Sequence, residues 1–192
     1  MPQILGENGI HSHLVTDHQH YWEDGGATYH NHYTTYELVR GQEGDKWKGL
    51  VGDIEIPGGL NKKDPHILRQ DWINRSFLQS EANMPQAQTF ELGLEFIQSN
   101  HQADNWFLQF ETFDPHEPFF TQQESKNLYP HDYDGPHYDW PPYDRVSPTL
   151  ETREHIKYEY TALLSMCDAY LGKVIDMMDK YDSTRSKKAN AR

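Results

Sequence analysis

One periodic pattern constrains this chain more than any other. Between residues 156 and 178 apolar side chains recur three and four positions apart, at Ile156, Tyr160, Leu163, Leu164, Cys167, Leu171, Val174, Ile175 and Met178. That spacing predicts an amphipathic helix with one continuous apolar stripe, and Thr149 is placed to cap its start. The stripe needs a layer to bury it, so the rest of the chain is read for elements that supply one. After Tyr181 the pattern stops. Residues 183–192 are polar, basic and aperiodic, and read as a disordered basic tail.

Upstream, strand and helix signals alternate. Residues 2–5 followed by Gly6 and Gly9 read as the last turn of a helix with its glycine stop. A domain rarely begins there, so the chain is expected to be incomplete at both ends. His13-Leu14-Val15-Thr16 predicts a short strand, and further strands are expected at 36–40 and 50–56, with Pro57-Gly58-Gly59 turning the second. These lie in an excursion over 22–65. Pro85 can start a helix whose face is Ala87, Phe90, Leu94 and Ile97, and Trp106-Phe107-Leu108-Gln109-Phe110 predicts a mostly buried strand. Residues 121–148, with five prolines and many tyrosines, predict a long irregular loop. The sum is α/β organisation in one domain over 1–182, a mostly parallel sheet flanked by helices.

Charge and cysteine usage then exclude several functions. The formal net charge is −13, and without the four cations Arg185, Lys187, Lys188 and Arg192 residues 1–184 carry −17. Nucleic-acid binding through a basic face is excluded. One cysteine in 192 residues cannot form an internal disulfide. The apolar runs are far too short for the roughly 20 residues of a membrane span, and no signal peptide opens the chain. A soluble, acidic, aromatic-rich protein is expected, its compartment unspecified.

In open α/β sheets ligands gather at the carboxyl ends of strands, so the residues just past each strand matter most. After the first comes Asp17-His18-Gln19-His20-Tyr21, and after the strand at 106–110 comes Glu111-Thr112-Phe113-Asp114-Pro115-His116-Glu117-Pro118. Both put imidazole and carboxylate at the expected active edge. Imidazole exchanges protons near neutral pH and binds anions or metals, which suits hydrolysis of an anionic ester, while the plainer reading is surface residues capping loops. His18 and His20 on an extended segment would present both rings on one face, a weak metal signal without a matching partner motif. Arg40 could grip an anion, but Asp45 and Glu43 nearby favour pairing within its own turn. Cys167 sits on the helix stripe, where a thiol is inert. Asp168 beside it faces either solvent or a buried anchor point.

Three runs together resemble the catalytic domain of the sulfatases, in the alkaline-phosphatase-like superfamily: 9–21, with Asp17-His18-Gln19-His20; 106–119, with Pro115-His116-Glu117-Pro118; and 158–172, with Cys167-Asp168. The resemblance covers roughly 1–182 and implies an alkaline-phosphatase-like fold, the middle portion of that domain. It implies that His116, in the Pro-His element, contacts the sulfate ester. Where the family carries Gly-Lys-Trp-His, this chain has Asp17 and Gln19 at the Lys and His positions, flanked by His18 and His20. The substrate-proximal role passes to Asp17, His18 and His20. The family works with a formylglycine, made from Cys or Ser in a Cys/Ser-X-Pro-X-Arg motif, and with calcium. Cys167 lacks that motif, and neither group is expected within this chain, nor any metal ligand.

The expectation is therefore part of a sulfuric ester hydrolase acting on a sulfated small molecule or glycan and inactive alone. The alternatives are a phosphodiesterase or phosphonate hydrolase of the same superfamily, and a non-catalytic carbohydrate-binding module in which tryptophans such as Trp140 or Trp106 stack on sugars.

Overall fold

The computed structural model of the chain describes residues 1–143 and 148–189, with side chains to residue 182. It begins with α1 (Pro2–Glu7), whose end is fixed by Gly9 at φ 72°. The Ile10 amide donates to the Leu5 carbonyl (2.9 Å) and the Gly9 amide to the Gly6 carbonyl (3.0 Å), the paired bonds of a helix stop that only a left-handed residue closes cheaply. The chain then enters β1 (His11–Thr16). After two short 3-10 turns come β2 (Thr35–Leu38), α2 (Pro65–Arg75), α3 (Pro85–Asn100), β3 (Trp106–Glu111), the short α4 (Gln123–Lys126) and α5 (Leu150–Ala189).

The three strands form one parallel sheet in the order β2-β1-β3. Central β1 is buried from Ser12 onward, as a strand covered on both faces must be. Its polar members are provided for. The His13 ring lies flat on Phe96 at 4.5 Å, with Nδ1 2.7 Å from the Thr35 hydroxyl, and the hydroxyls of Ser12 and Thr34 each accept from the other residue's amide. Thr16 pairs in register with both Leu38 and Glu111. The three strands therefore end level, and the loops after them emerge side by side.

Helix α3 packs on β1, β3 and α5. The core joins Leu78, Met84, Ala87, Phe90, Leu94 and Ile97 to Leu163, Met166, Tyr170 and Val174, with Leu108 and Phe110 of β3 against it. Burying such side chains stabilises by about 1.5–3 kcal/mol each. Gly93 makes the α3–β3 approach possible, since any Cβ there would run into the Phe110 ring.

Three sequence expectations change, and one helix was not expected. Residues 50–56 form no strand: Leu50 and Val51 are exposed, and the Arg69 guanidinium takes up the Leu50 and Gly52 carbonyls (3.0 and 2.6 Å) that a strand would have paired. Helix α2 carries no periodic signal in the sequence, because the residues it buries are Asp71, Ile73, Asn74 and Arg75, which make no apolar stripe. Its start is legible in Asp64-Pro65, where the Asp64 carboxylate accepts from the His66 amide (2.8 Å).

The expected stripe of α5 is rotated. Thr149 does cap the helix, its hydroxyl accepting from the Thr152 amide (3.2 Å), but Leu164, Leu171, Ile175 and Met178 are exposed. The buried line is Ala162, Leu163, Met166, Tyr170 and Val174, the last four joining the core with α3. Finally, the backbone over 183–189, expected as tail, continues α5, in keeping with the helix propensity of its Arg, Lys and Ala, and residues 190–192 lie outside the described residues. Among the described residues, no helix is long and apolar enough to cross a membrane.

Candidate functional site

Level strand ends bring the loops after β1, β2 and β3 together. Three imidazoles, His18, His20 and His116, surround one phenyl ring, Phe113, with ring centroids at 5.2, 5.8 and 4.4 Å from it. Phe113 is held by Asp17, whose Oδ1 accepts the Phe113 amide at 2.6 Å. Asp17 itself is fully buried. It supports the site from beneath: its carboxylate ties the loop after β1 to the loop after β3 and thereby sets the ring on which the histidines rest.

Each histidine has a defined setting. His18 is turned toward Glu111, with Nδ1 3.9 Å from the carboxylate. Burial lowers its pKa, as do His20 and His116, while Glu111 opposes them. Glu111 is engaged by the Thr16 and Tyr21 hydroxyls (3.0 and 2.6 Å). His20 lies against Glu23 (2.8 Å) and 3.9 Å from Glu43. His116 donates from Nδ1 to the Glu117 carbonyl (2.7 Å), and its Nε2 accepts the Tyr143 hydroxyl (3.0 Å). His18 and His20 do not lie on an extended segment, because a 3-10 turn over Gln19–Trp22 sets their rings edge to face at 5.3 Å. They belong to no metal-ligating cluster among the described residues.

Glu43 is the residue that sequence reasoning missed in this role. It reaches both His116 (3.4 Å from Nδ1) and His20 from the loop after β2. Its backbone has φ 47°, a conformation that costs a residue with a side chain about 1–3 kcal/mol and that collects at functional sites. Its neighbour Arg40 instead clasps Asp45 with two hydrogen bonds (2.8 and 2.6 Å), the local pairing expected for it. Lys63 supplies a nearby cation: it draws the Glu43 carboxyl down and sits near the Tyr143 ring (5.9 Å). An open cleft of about 640 Å³ runs beside His20 and Glu43, lined also by Trp22, Arg40 and Lys46.

Burial alters the charge of this edge. It pushes the Asp17 carboxyl well above its usual range, with Asp114 adding to the rise. It pushes Asp114 up to about 7 against the Gln42 hydrogen bond, and Glu43 up to about 8 against Lys63. Three carboxyls beneath and beside the imidazoles thus hold protons more readily than ordinary carboxyls, which reduces the negative charge at this edge.

These shifts make stability depend on pH. For these carboxyls the folded-state pKa lies above the unfolded value, so the fold holds more protons in between and loses stability as pH rises through that window. The downshifted histidines His13, His18, His30 and His155 act in the opposite sense, but only below about pH 6.5. Lowering the pH from 8 to 6.5 is therefore expected to raise the melting temperature by a few degrees, and Glu43→Gln to flatten that slope. Thermal scans across this range check it, and a midpoint that falls on acidification would mean Glu43 is ionised in the fold.

The groups that sulfatase chemistry requires do not fit the residues present. Asp17 and Asp114 are buried and each spends Oδ1 on an N–H group, of the Phe113 backbone and the Gln42 side chain respectively, which leaves one buried oxygen apiece where a calcium shell takes about six to eight. Cys167 donates to the Gln86 carbonyl oxygen (3.3 Å), and burial pushes its thiol up to about 12. The half-buried thiol is thus held away from its reactive form, as expected, and Asp168 beside it is exposed. No family model and no curated protein sequence matches the chain.

Proposed function

We propose that this edge binds a sulfate ester and that the chain is the middle portion of a sulfatase catalytic domain, with His116 contacting the sulfate or assisting the leaving oxygen. His18 and His20 flank the ester, and Asp17 positions the loop through Phe113. Formylglycine and calcium would be contributed by the parent protein outside this stretch. The observation that carries the reading is the convergence of His18, His20 and His116 on Phe113 at level strand ends, from loops almost 100 residues apart in sequence. The reduced negative charge of this edge and Lys63 support an anionic ligand. For the carbohydrate-module reading, Trp140 is 2% exposed and offers no face to a sugar, whereas Trp22, Tyr29, Tyr36 and Tyr143 are exposed.

The test is to add 4-nitrophenyl sulfate to the purified chain and follow the histidine ring signals by NMR. At millimolar ester the signals of His18, His20 and His116 are expected to shift, with no turnover above a heat-killed control. 4-Nitrophenol should leave them in place. Shifts with 4-nitrophenyl phosphate and none with the sulfate would move the assignment to the phosphodiesterase and phosphonate hydrolase branch. Turnover by the chain alone would overturn the view that the nucleophile lies elsewhere, and no shift with either ester would remove the proposal.

A further inference from the structure

Away from this edge, the long loop meets α5 through His131, His155 and Glu159. Their ligand-type atoms all lie within 4.8 Å of one another, the one such group among the described residues. We propose that these three side chains form a zinc-type divalent cation site that fastens the loop to the helix.

The donor set is right for that ion: two imidazoles and a carboxylate with room for a water is a common open zinc shell. His155 and Glu159 are four residues apart on α5 and so share one face, while His131 approaches from the loop. The His131 Nδ1–H donates to the Tyr129 carbonyl (3.0 Å), which leaves the Nε2 lone pair aimed at the cluster, the arrangement found behind metal-ligating histidines. Both rings are held in orientation. His131 stacks on Tyr158 at 4.4 Å and His155 on Tyr133 at 3.9 Å, the latter within 7° of parallel. His131 Nε2 and His155 Nδ1 stand 2.8 Å apart, sharing one proton between them. A metal would replace that proton and spread the nitrogens to about 3.4 Å, the span of two tetrahedral ligands at the usual zinc–nitrogen distance. The His155 proton would move to Nε2.

Glu159 is buried and faces a cation already, the Lys126 ammonium at 2.5 Å. Lys126 is partly exposed, so its flexible stem can withdraw to solvent when a divalent ion takes its place. The Glu159 carboxylate is thus kept oriented until the metal arrives. The same loop carries Tyr143, whose hydroxyl meets His116, so fastening it also steadies one wall of the histidine edge. The inference itself rests on other residues and stands without the sulfatase reading.

Zinc binding to the full chain, measured at pH 7.5 by competition with a chromophoric chelator, tests it. One tight equivalent is expected, with micromolar affinity or better, a rise in melting temperature and, with cobalt, the visible bands of a four-coordinate ion. His131→Ala and Glu159→Gln should each weaken it at least about 100-fold, whereas the His18→Ala, His20→Ala double variant should keep it. His131 lies on a loop, so its variant remains informative if a change in α5 impairs folding. Tight zinc that survives His131→Ala, or no binding at 100-fold excess metal, would overturn the proposal.

Discussion

Replacing His116 by alanine is expected to lower sulfate-ester hydrolysis by roughly 10²-fold or more in the proposed parent enzyme, the usual scale for a positioned acid-base or charge-stabilising group. The side chain is well placed for this. It stands just past the end of β3, between Pro115 and Pro118, with Nδ1 committed to the Glu117 carbonyl and Nε2 turned to the exposed Tyr143 hydroxyl. Its Nε2 is therefore the atom free to exchange Tyr143 for a substrate oxygen. The fold should barely notice the loss: the ring is 38% exposed, and its two hydrogen bonds are worth about 1 kcal/mol each. Steady-state kinetics and a melting curve separate the two roles. A variant that keeps its rate but melts at clearly lower temperature would make His116 a loop cap.

Asp139→Ala is expected to cost about 3–5 kcal/mol of folding stability, a large effect for a single polar substitution. Asp139 is a buried residue of the long loop and faces Arg75 of α2, whose guanidinium is buried as well and is also bound to Asp71 (2.8 Å). Burial alone would raise the Asp139 pKa, but Arg75 and His137 override it and hold the carboxyl well below its ordinary range. Asn61 adds a hydrogen bond to Oδ1 at 2.9 Å. Removing the carboxylate leaves a buried cation short of one partner between the rings of Trp72 and Phe120, and detaches the loop from α2. A depressed carboxyl contributes stability that is present above its unfolded pKa of about 4 and lost as pH falls below it, so this contribution is constant over the pH 6.5–8 scans. Urea unfolding at pH 7 measures it. A loss under about 1 kcal/mol would show that Arg75 finds water or Asp71 sufficient.

His116 is visible in the sequence because a Pro-flanked histidine directly after an apolar run is a local signal. Asp139 is not, because nothing in Tyr138-Asp139-Trp140 says that an arginine 64 positions earlier will face it. The same division separates His18 and His20, which come just after a strand in sequence, from Glu43 and Tyr143, which reach the histidines only through the folded path of the loops after β2 and α4.

The sequence by itself determined the features set by neighbours along the chain: the glycine stop after α1, the Thr149 cap, the proline start of α3, the apolar run of β3 and the inert setting of Cys167. Each depends on backbone geometry or spacing within a few residues, which local sequence encodes directly. Only the tertiary structure decided the rest. Which line of α5 is buried depended on where α3 lay, since apolar residues ring much of that helix and packing selects among them. The meeting of three imidazoles on Phe113 depended on a parallel register that ends three strands level, and register is a relation between distant segments. The raised proton affinity of Asp17, Asp114 and Glu43 is likewise a property of the assembled interior, because a carboxyl's pKa is set by the water and charges that folding removes or brings near.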